Sequence, residues 1–261
     1  MKKLFFLFTS AIFMISCSND DGSSPIVDEP AEPKIYIKKI INVALADSDG
    51  TTETFLVDFE YEGNQLKKII SGNGYTELEY LNGKIVSYAN YSDGNINSSG
   101  ELVYNGELLT HTLADDSGYK FRIDYTYSND GKLKRTQQCS GTEPCTNNNS
   151  YTEFTFQNDN IVQEVNSMVI FGTPTITTYN YTYDDKKNPF TNYDEVTRIL
   201  LKDMVNAALS KNNYTSQTDY NGSLINYTNT YTEDDYLKKH EGRYDSNGSF
   251  YVSFEYEYTE L

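Results

Sequence analysis

Two cysteines, two histidines and several acid pairs are the side chains in the body of this 261-residue chain whose types and spacing suit chemistry. Cys139 and Cys145 enclose five residues, including Gly141 and Pro144. That spacing is not the Cys-x-x-Cys of a redox centre. In an extracytoplasmic protein it predicts a disulfide closing a hairpin loop, worth roughly 2–3 kcal/mol at best. His111 and His240 lie in different segments, with no His-Glu-x-x-His, Gly-x-Ser-x-Gly or phosphate-loop motif around them. Each reads as a strand-face residue. Asp115-Asp116, Asp184-Asp185 and Asp234-Asp235 sit in turn-like contexts, where Asp makes local hydrogen bonds. Asp47-Ser48-Asp49-Gly50 with Glu53 begins like a calcium loop but lacks the remaining ligands and the Glu at the twelfth position. A turn between two strands explains it better. The expectation is therefore no catalytic residue, no metal ion and no cofactor. A facing carboxylate pair acting on glycans is kept as an alternative.

Composition narrows the partners. The chain has 38 acidic and 21 basic residues and a net charge of -17, which disfavours a nucleic-acid binder. Trp is absent, but 24 Tyr and 13 Phe can bury enough area to exclude plain disorder.

The chain begins with an address. Lys2 and Lys3 precede the apolar run Leu4 to Phe13, too short to span a bilayer and suited to a signal peptide. Met14-Ile15-Ser16-Cys17 follows, and it resembles the lipobox of bacterial lipoproteins. The resemblance implies cleavage after residue 16 and acylation of Cys17, which anchors a protein without a membrane-spanning helix. Ser18-Asn19-Asp20-Asp21 resembles the surface-export signal of Bacteroidetes lipoproteins. It implies the outer leaflet of the outer membrane, with the periplasmic leaflet as the alternative. Residues 17–34, with Pro25, Pro30 and Pro33 among Ser, Gly, Asp and Glu, read as a flexible tether. Cleavage removes two lysines and no acid, so the mature body is more acidic still and stands off an anionic surface.

The elements that must position everything else are repeated hairpins. Phe59-Glu60-Tyr61, Leu78-Glu79-Tyr80, Leu102-Val103-Tyr104, Tyr125-Thr126-Tyr127 and Phe154-Thr155-Phe156 each run into a polar turn and then an aliphatic residue, and Tyr181-Thr182-Tyr183 leads through Asp184-Asp185 to Asn188-Pro189-Phe190. Asn82-Gly83 and Asn105-Gly106 are hairpin signals, because both residue types accept positive φ. Alternation is clean: Phe55, Val57, Phe59 and Tyr61 oppose Leu56, Asp58 and Glu60, and Phe121, Ile123, Tyr125 and Tyr127 oppose Arg122, Asp124 and Thr126. One apolar face and one charged face predict sheets covered on one side. They argue against a lipid-facing barrel, since charges at mid-strand are costly in hydrocarbon.

Tyr125-Thr126-Tyr127-Ser128-Asn129-Asp130-Gly131-Lys132-Leu133 resembles the YD repeat of Rhs and teneurin-type proteins. Tyr181 to Phe190 resembles the related unit of uncharacterised Bacteroidetes lipoproteins. The resemblance, spread in degenerate form over most of residues 50–258, implies a scaffold of consecutive hairpins. It does not imply a toxin.

Residues near 193–210 break this pattern. Val196, Ile199, Leu200, Met204 and Ala207 or Ala208 recur at helical spacing, with Asp194 and Glu195 at the N-terminal end. A helix there plugs or caps the sheet. Tyr214, Tyr220, Tyr227 and Tyr251 fall off the repeat position and are the candidates for an exposed binding surface. The expected molecule is a signal peptide over 1–16, a lipidated tether over 17–34 and one all-β domain over 35–261. That domain is an antiparallel meander of hairpins, a twisted open sheet or partly closed barrel, with one helix. Its expected role is that of an outer-membrane, surface-exposed lipoprotein, a non-enzymatic module binding a protein or glycan partner. A structural envelope component and a glycan hydrolase are the alternatives.

Overall fold

The computed structural model describes residues 34–45, 51–146, 150–170, 173–202 and 208–261. The signal peptide, Cys17, the export signal Ser18 to Asp21, the tether up to residue 33 and Asp47 to Gly50 lie outside the described residues. Among those described are sixteen antiparallel strands: β1 (Ile35–Leu45), β2 (Thr52–Glu62), β3 (Gln65–Ser71), β4 (Gly74–Leu81), β5 (Lys84–Ser92), β6 (Asn95–Asn105), β7 (Leu108–Asp116), β8 (Tyr119–Tyr127), β9 (Leu133–Ser140), β10 (Tyr151–Gln157), β11 (Asn160–Ile170), β12 (Thr173–Lys187), β13 (Asn212–Thr218), β14 (Leu224–Tyr231), β15 (Leu237–Tyr244) and β16 (Phe250–Glu260). Each strand pairs with the next, and β1 pairs with β16, so the meander closes into a barrel. The sequence left open whether the sheet closes. Closure leaves no edge strand unpaired.

The hairpin turns follow from their residues. Asn82 and Gly83 both have positive φ, 53° and 80°, the geometry that matches the twist of the flanking strands. Asn158 and Asp159 achieve the same at 52° and 65° without a glycine. At one end of the barrel, the strand leaving each such turn carries one extra residue, a β-bulge. The partners of Glu60 and Tyr61 are Lys68 and Leu66, and those of Val103 and Tyr104 are His111 and Leu109. The bulge residue steps the inward face from i to i+3, so that Leu66 and Ile69 both point inside, as do Leu109 and Thr112.

This end of the barrel is sealed. Ile37, Leu66, Ile85, Leu109, Leu133, Ile161 and Leu237 form a ring of aliphatic side chains, each at most 3% exposed. Over it lies a second ring, the last aromatic of each descending strand. The hydroxyls of Tyr61, Tyr80, Tyr104, Tyr183 and Tyr258 donate to the carbonyls of Ile37, Leu66, Ile85, Ile161 and Leu237, at 2.5 to 2.8 Å. The repeat thus encodes a clamp: its aliphatic fills the core, and the tyrosine of the following unit satisfies the carbonyl of that aliphatic. Such a bond is worth about 1 kcal/mol.

The chain between β12 and β13 supplies a plug. A short 3-10 turn (Pro189–Asn192) and helix α1 (Glu195–Leu201) bury Phe190, Ile199 and Leu201 in the core. Asp194 caps α1, accepting from the Thr197 amide at 3.0 Å and the Thr197 hydroxyl at 2.6 Å. Tyr193 and Asn192 fasten the plug to β1 and β2. The Ile37 amide donates to the Tyr193 hydroxyl (3.2 Å), Tyr193 and Tyr61 share a hydroxyl bond, and Asn192 donates to the Ile35 carbonyl. The helix is shorter than its sequence pattern. Its described part ends at Leu201, and Arg198 turns back to donate to the carbonyls of Ala208 (2.7 Å) and Ser210 (3.0 Å). Residues 203–207 lie outside the described set.

The outer wall is charged. Lys39 pairs with Asp58, Lys68 with Glu77, Arg135 with Glu153 and Lys239 with Glu255, each across neighbouring strands at 3.0 to 3.4 Å. The tyrosines of the clamp point inward and the acids of these cross-strand pairs outward, as the alternation predicts.

Candidate functional site

The interior differs from one side of the barrel to the other. Along β13 to β16 and β1 it is solid. His240, 2% exposed, stacks on Tyr227 with ring centroids 4.1 Å apart and 7° between planes, and meets Tyr214 edge-on at 4.2 Å. Tyr227 lies over Gly242 on the facing strand, where a Cβ would come within 2.5 Å of the ring. Glycine is required there by this close approach.

A polar chain runs beneath the stack. His240 Nδ1 meets Asn229 Oδ1 at 2.5 Å. Asn229 Nδ2 donates to Asp184 Oδ2 at 2.9 Å and to the Tyr214 carbonyl at 3.3 Å. Asp184 Oδ2 also accepts from the Tyr231 hydroxyl, and its Oδ1 from the amides of Lys186 (3.0 Å) and Asn213 (3.2 Å). Burial drives the His240 pKa down to about 3, so the ring is neutral at any physiological pH. Burial likewise raises the tyrosines: Tyr80 and Tyr104 are pushed up to about 12, with the Asp194 charge adding to the rise, and Tyr181, Tyr214, Tyr227 and Tyr256 stand higher.

Along β3 to β12 the interior is hollow. A lumen of about 690 Å³ runs from the plug toward the far end. Its floor is Ile199, Leu200 and Lys202 of the α1 segment. Its walls present hydroxyls, amides and phenols, among them Asn90, Thr112, Thr136, Asn166, Thr177 and Tyr179. Thr76 donates to Asn90 at 2.6 Å, Asn90 donates to Ser98 at 2.8 Å, and Thr112 and Tyr125 share a bond at 3.1 Å. Met168 lines the far rim and is 58% exposed, so the lumen reaches solvent there. Hydroxyl and amide groups both donate and accept, and this lining can exchange hydrogen bonds with a hydroxyl-rich molecule. Glu164 also points inward, with the Tyr181 hydroxyl 3.5 Å from its Oε2.

The tyrosines chosen from sequence as an exposed set do not form one. Tyr220 alone of the four is open, 73% exposed in the turn between β13 and β14. Tyr214 and Tyr227 are buried in the solid half, and Tyr251 is half-buried with its ring edge-on to Tyr244 at 5.4 Å. The correction has a physical reason. Tyr214 occupies the inward position that Leu66 and Ile85 hold in other units, and Tyr227 alternates inward with Ile225 and Asn229. Tyr251 is the extra residue of a bulge between Gly242 and Arg243 of the facing strand.

Cys139 and Cys145 are bonded, with Cα atoms 5.6 Å apart. Their loop folds onto the outer wall, where the Cys145 amide donates to Asp124 Oδ2 at 2.9 Å. Asp115 and Asp116 end β7, Asp234 and Asp235 lie in a turn, and Asp184, read from sequence as a turn residue, is instead within β12. His111 shares a bond with the Thr110 hydroxyl at 3.0 Å, well away from His240 in the strand order. Among the described residues no cluster of three or more His, Cys, Asp or Glu is arranged to hold a metal ion. Sequence reasoning passed over the lumen residues, because Thr, Asn and Gln carry no motif. Only their inward register, set by the bulges, marks them.

No family model matches the chain, and no curated protein matches it. Among solved structures it is similar to a porin-like protein from Bacteroides uniformis, with a TM-score of 0.53 and 12% identity over 86% of this chain and 96% of that one. At that identity the likeness is one of fold. A weaker match, to a chain of the TcdB2-TccC3-Cdc42 complex, has a TM-score of 0.22 and 11% identity over 77% of this chain and 10% of that one, and no likeness is drawn from it.

Proposed function

We propose that this protein is a lipid-anchored cell-envelope barrel that binds a small, uncharged, hydroxyl-rich ligand, such as part of a glycan, in its lumen, and that it does so without catalysis. The observation that carries the reading is the half-hollow interior: one end is sealed by the aliphatic ring and plug, while a lumen of ligand size, whose walls carry hydroxyls and amides among apolar side chains with Lys202 at the floor, reaches solvent. The lipobox around Cys17 and the acids behind it support anchoring at the outer membrane with the body exposed at the surface. The charged outer wall favours a barrel that stands in water on its tether. Mid-strand charges in hydrocarbon would each cost about 2–4 kcal/mol for Lys or Arg, and somewhat less for acids. The Bacteroides neighbour is named porin-like, but here the inward aromatics and outward acids reverse the pattern of a lipid-facing wall.

The test is a glycan array and calorimetry with the mature chain, alongside a Thr177→Trp variant that fills the lumen. The reading expects a saturable glycan hit that the variant loses while its melting temperature holds. Binding that survives lumen filling, or a blank with every glycan, defeats it. For the anchor, Cys17→Ala is expected to release the protein from the membrane fraction, and continued membrane attachment contradicts lipidation.

A further inference from the structure

His240 and Asn213 each keep one buried polar atom without a hydrogen-bond partner among the described residues, Nε2 and Oδ1 respectively. Both residues are 2% exposed, and both line one small cavity together with Asn188, Pro189, Tyr214, Leu237 and Tyr256. An unmatched buried polar atom is costly, so two in one cavity need an explanation.

The surrounding bonds fix what the two atoms are. Asn229 Nδ2 faces a carboxylate oxygen and a backbone carbonyl, both pure acceptors, so the amide cannot be turned the other way. Asn229 Oδ1 must then be the atom that faces His240, and it can only accept. The proton of the neutral His240 ring therefore sits on Nδ1, which leaves Nε2 as a bare lone pair. Asn213 is fixed in the same way. Its Nδ2 donates to the carbonyls of Lys186 at 3.3 Å and Lys187 at 3.2 Å, which turns Oδ1, an acceptor, toward the cavity. Two acceptors thus face one space. Neither can satisfy the other.

We infer that this cavity is a binding site for a single water molecule, which donates one hydrogen to His240 Nε2 and the other to Asn213 Oδ1. The cavity volume is about 10 Å³, the lower edge of the room one water needs and too little for any larger ligand. The water links β15 to β13 beside the plug, and it completes the polar chain that begins at Tyr231 and Asp184. It is independent of the lumen and of any ligand there.

The chain has two histidines, which makes the test simple. Long-range nitrogen–proton NMR correlations on the wild-type protein, with His111→Gln to assign the signals, report which ring nitrogen carries the proton. The expected result is His240 protonated at Nδ1 only, over the whole range from pH 8 down to about 5. A crystal structure at a resolution that shows other buried waters then places a peak within hydrogen-bond distance of both atoms. A proton on Nε2 overturns the inference, because that atom would need an acceptor. So does a cavity without density, or a peak that reaches only one of the two atoms.

Discussion

The solid half of the barrel and its hollow half are built from the same repeated hairpin, yet one stacks rings and the other lines a space. The pair Tyr227–Gly242 and the pair Tyr88–Gly100 show the difference most directly. In both, a tyrosine lies over a glycine directly across the strand pair, and a Cβ would come within 2.5 Å of the ring. Tyr227 is then held by His240 and Tyr214. Tyr88 borders the lumen. The residues three places after the sealed-end positions show part of the difference. His240 and Gln217 stand there in the solid half, Thr112 and Thr136 in the hollow half. The His240 ring stacks and fills its side, whereas Thr112 and Thr136 stand beside Ile69 and Tyr88 on the wall of the lumen.

The sharpest contrast between the halves is in acid. With its folded pKa at about 3, His240 lies below its ordinary value of about 6.5, so between those pH values the unfolded chain binds a proton that the folded chain refuses. Stability is whole above about pH 6.5 and falls toward pH 3, with a slope approaching about 1.4 kcal/mol per pH unit from this group. A His240→Gln variant is expected to lose that component in denaturant unfolding curves measured at each pH. An unchanged slope would mean the ring is reached by solvent. The next effect is in packing. Leu237→Ala in the sealed ring is expected to cost about 2–5 kcal/mol, whereas Thr177→Ala in the lumen should fall within about 0.5 kcal/mol. Thermal melts of the two variants decide it, and equal losses would dissolve the contrast.

Two smaller effects refine it. Gly242→Ala should destabilise by about 2–3 kcal/mol, because Tyr227 cannot move, while Gly100→Ala should cost about 1 kcal/mol, because Tyr88 has the lumen to turn into. Tyr104→Phe removes the clamp on the Ile85 carbonyl and should cost about 1 kcal/mol. The clamps also predict alkaline behaviour. Tyr104 ionises at about 12 when folded and near 10 when unfolded, so its contribution is complete below pH 10 and is lost as pH rises toward 12. Ultraviolet titration of phenolate should therefore show a delayed, cooperative step.

Much of this was legible in the sequence. The aromatic-x-aromatic units, the Asn-Gly turns and the inward row Val57, Phe59 and Tyr61 marked the hairpins and their faces, though Phe55 at the far end of that row is exposed, and Asp194 marked the start of α1. Closure was not legible, since it depends on β1 meeting β16 some 200 residues away in register, a pairing no local pattern encodes. The bulges were the other hidden element. They turn Leu66-Lys67-Lys68-Ile69 from a broken alternation into two inward residues, and they bring Tyr214 inside where its place off the repeat suggested exposure. The lumen was invisible for the same reason, because Thr112 and Thr136 gain meaning only once that register is known.

The measurement that tests the account most directly is thiol labelling in the native state. In a Cys17→Ser background, Thr177→Cys places a thiol on the lumen wall and Ile225→Cys places one in the solid half, where Ile225 is 0% exposed. The account predicts that a small thiol reagent modifies the first at close to the rate of a free thiol. It predicts that the second reacts only as fast as the protein unfolds. Equal rates at the two positions would contradict a barrel that is solid on one side and hollow on the other.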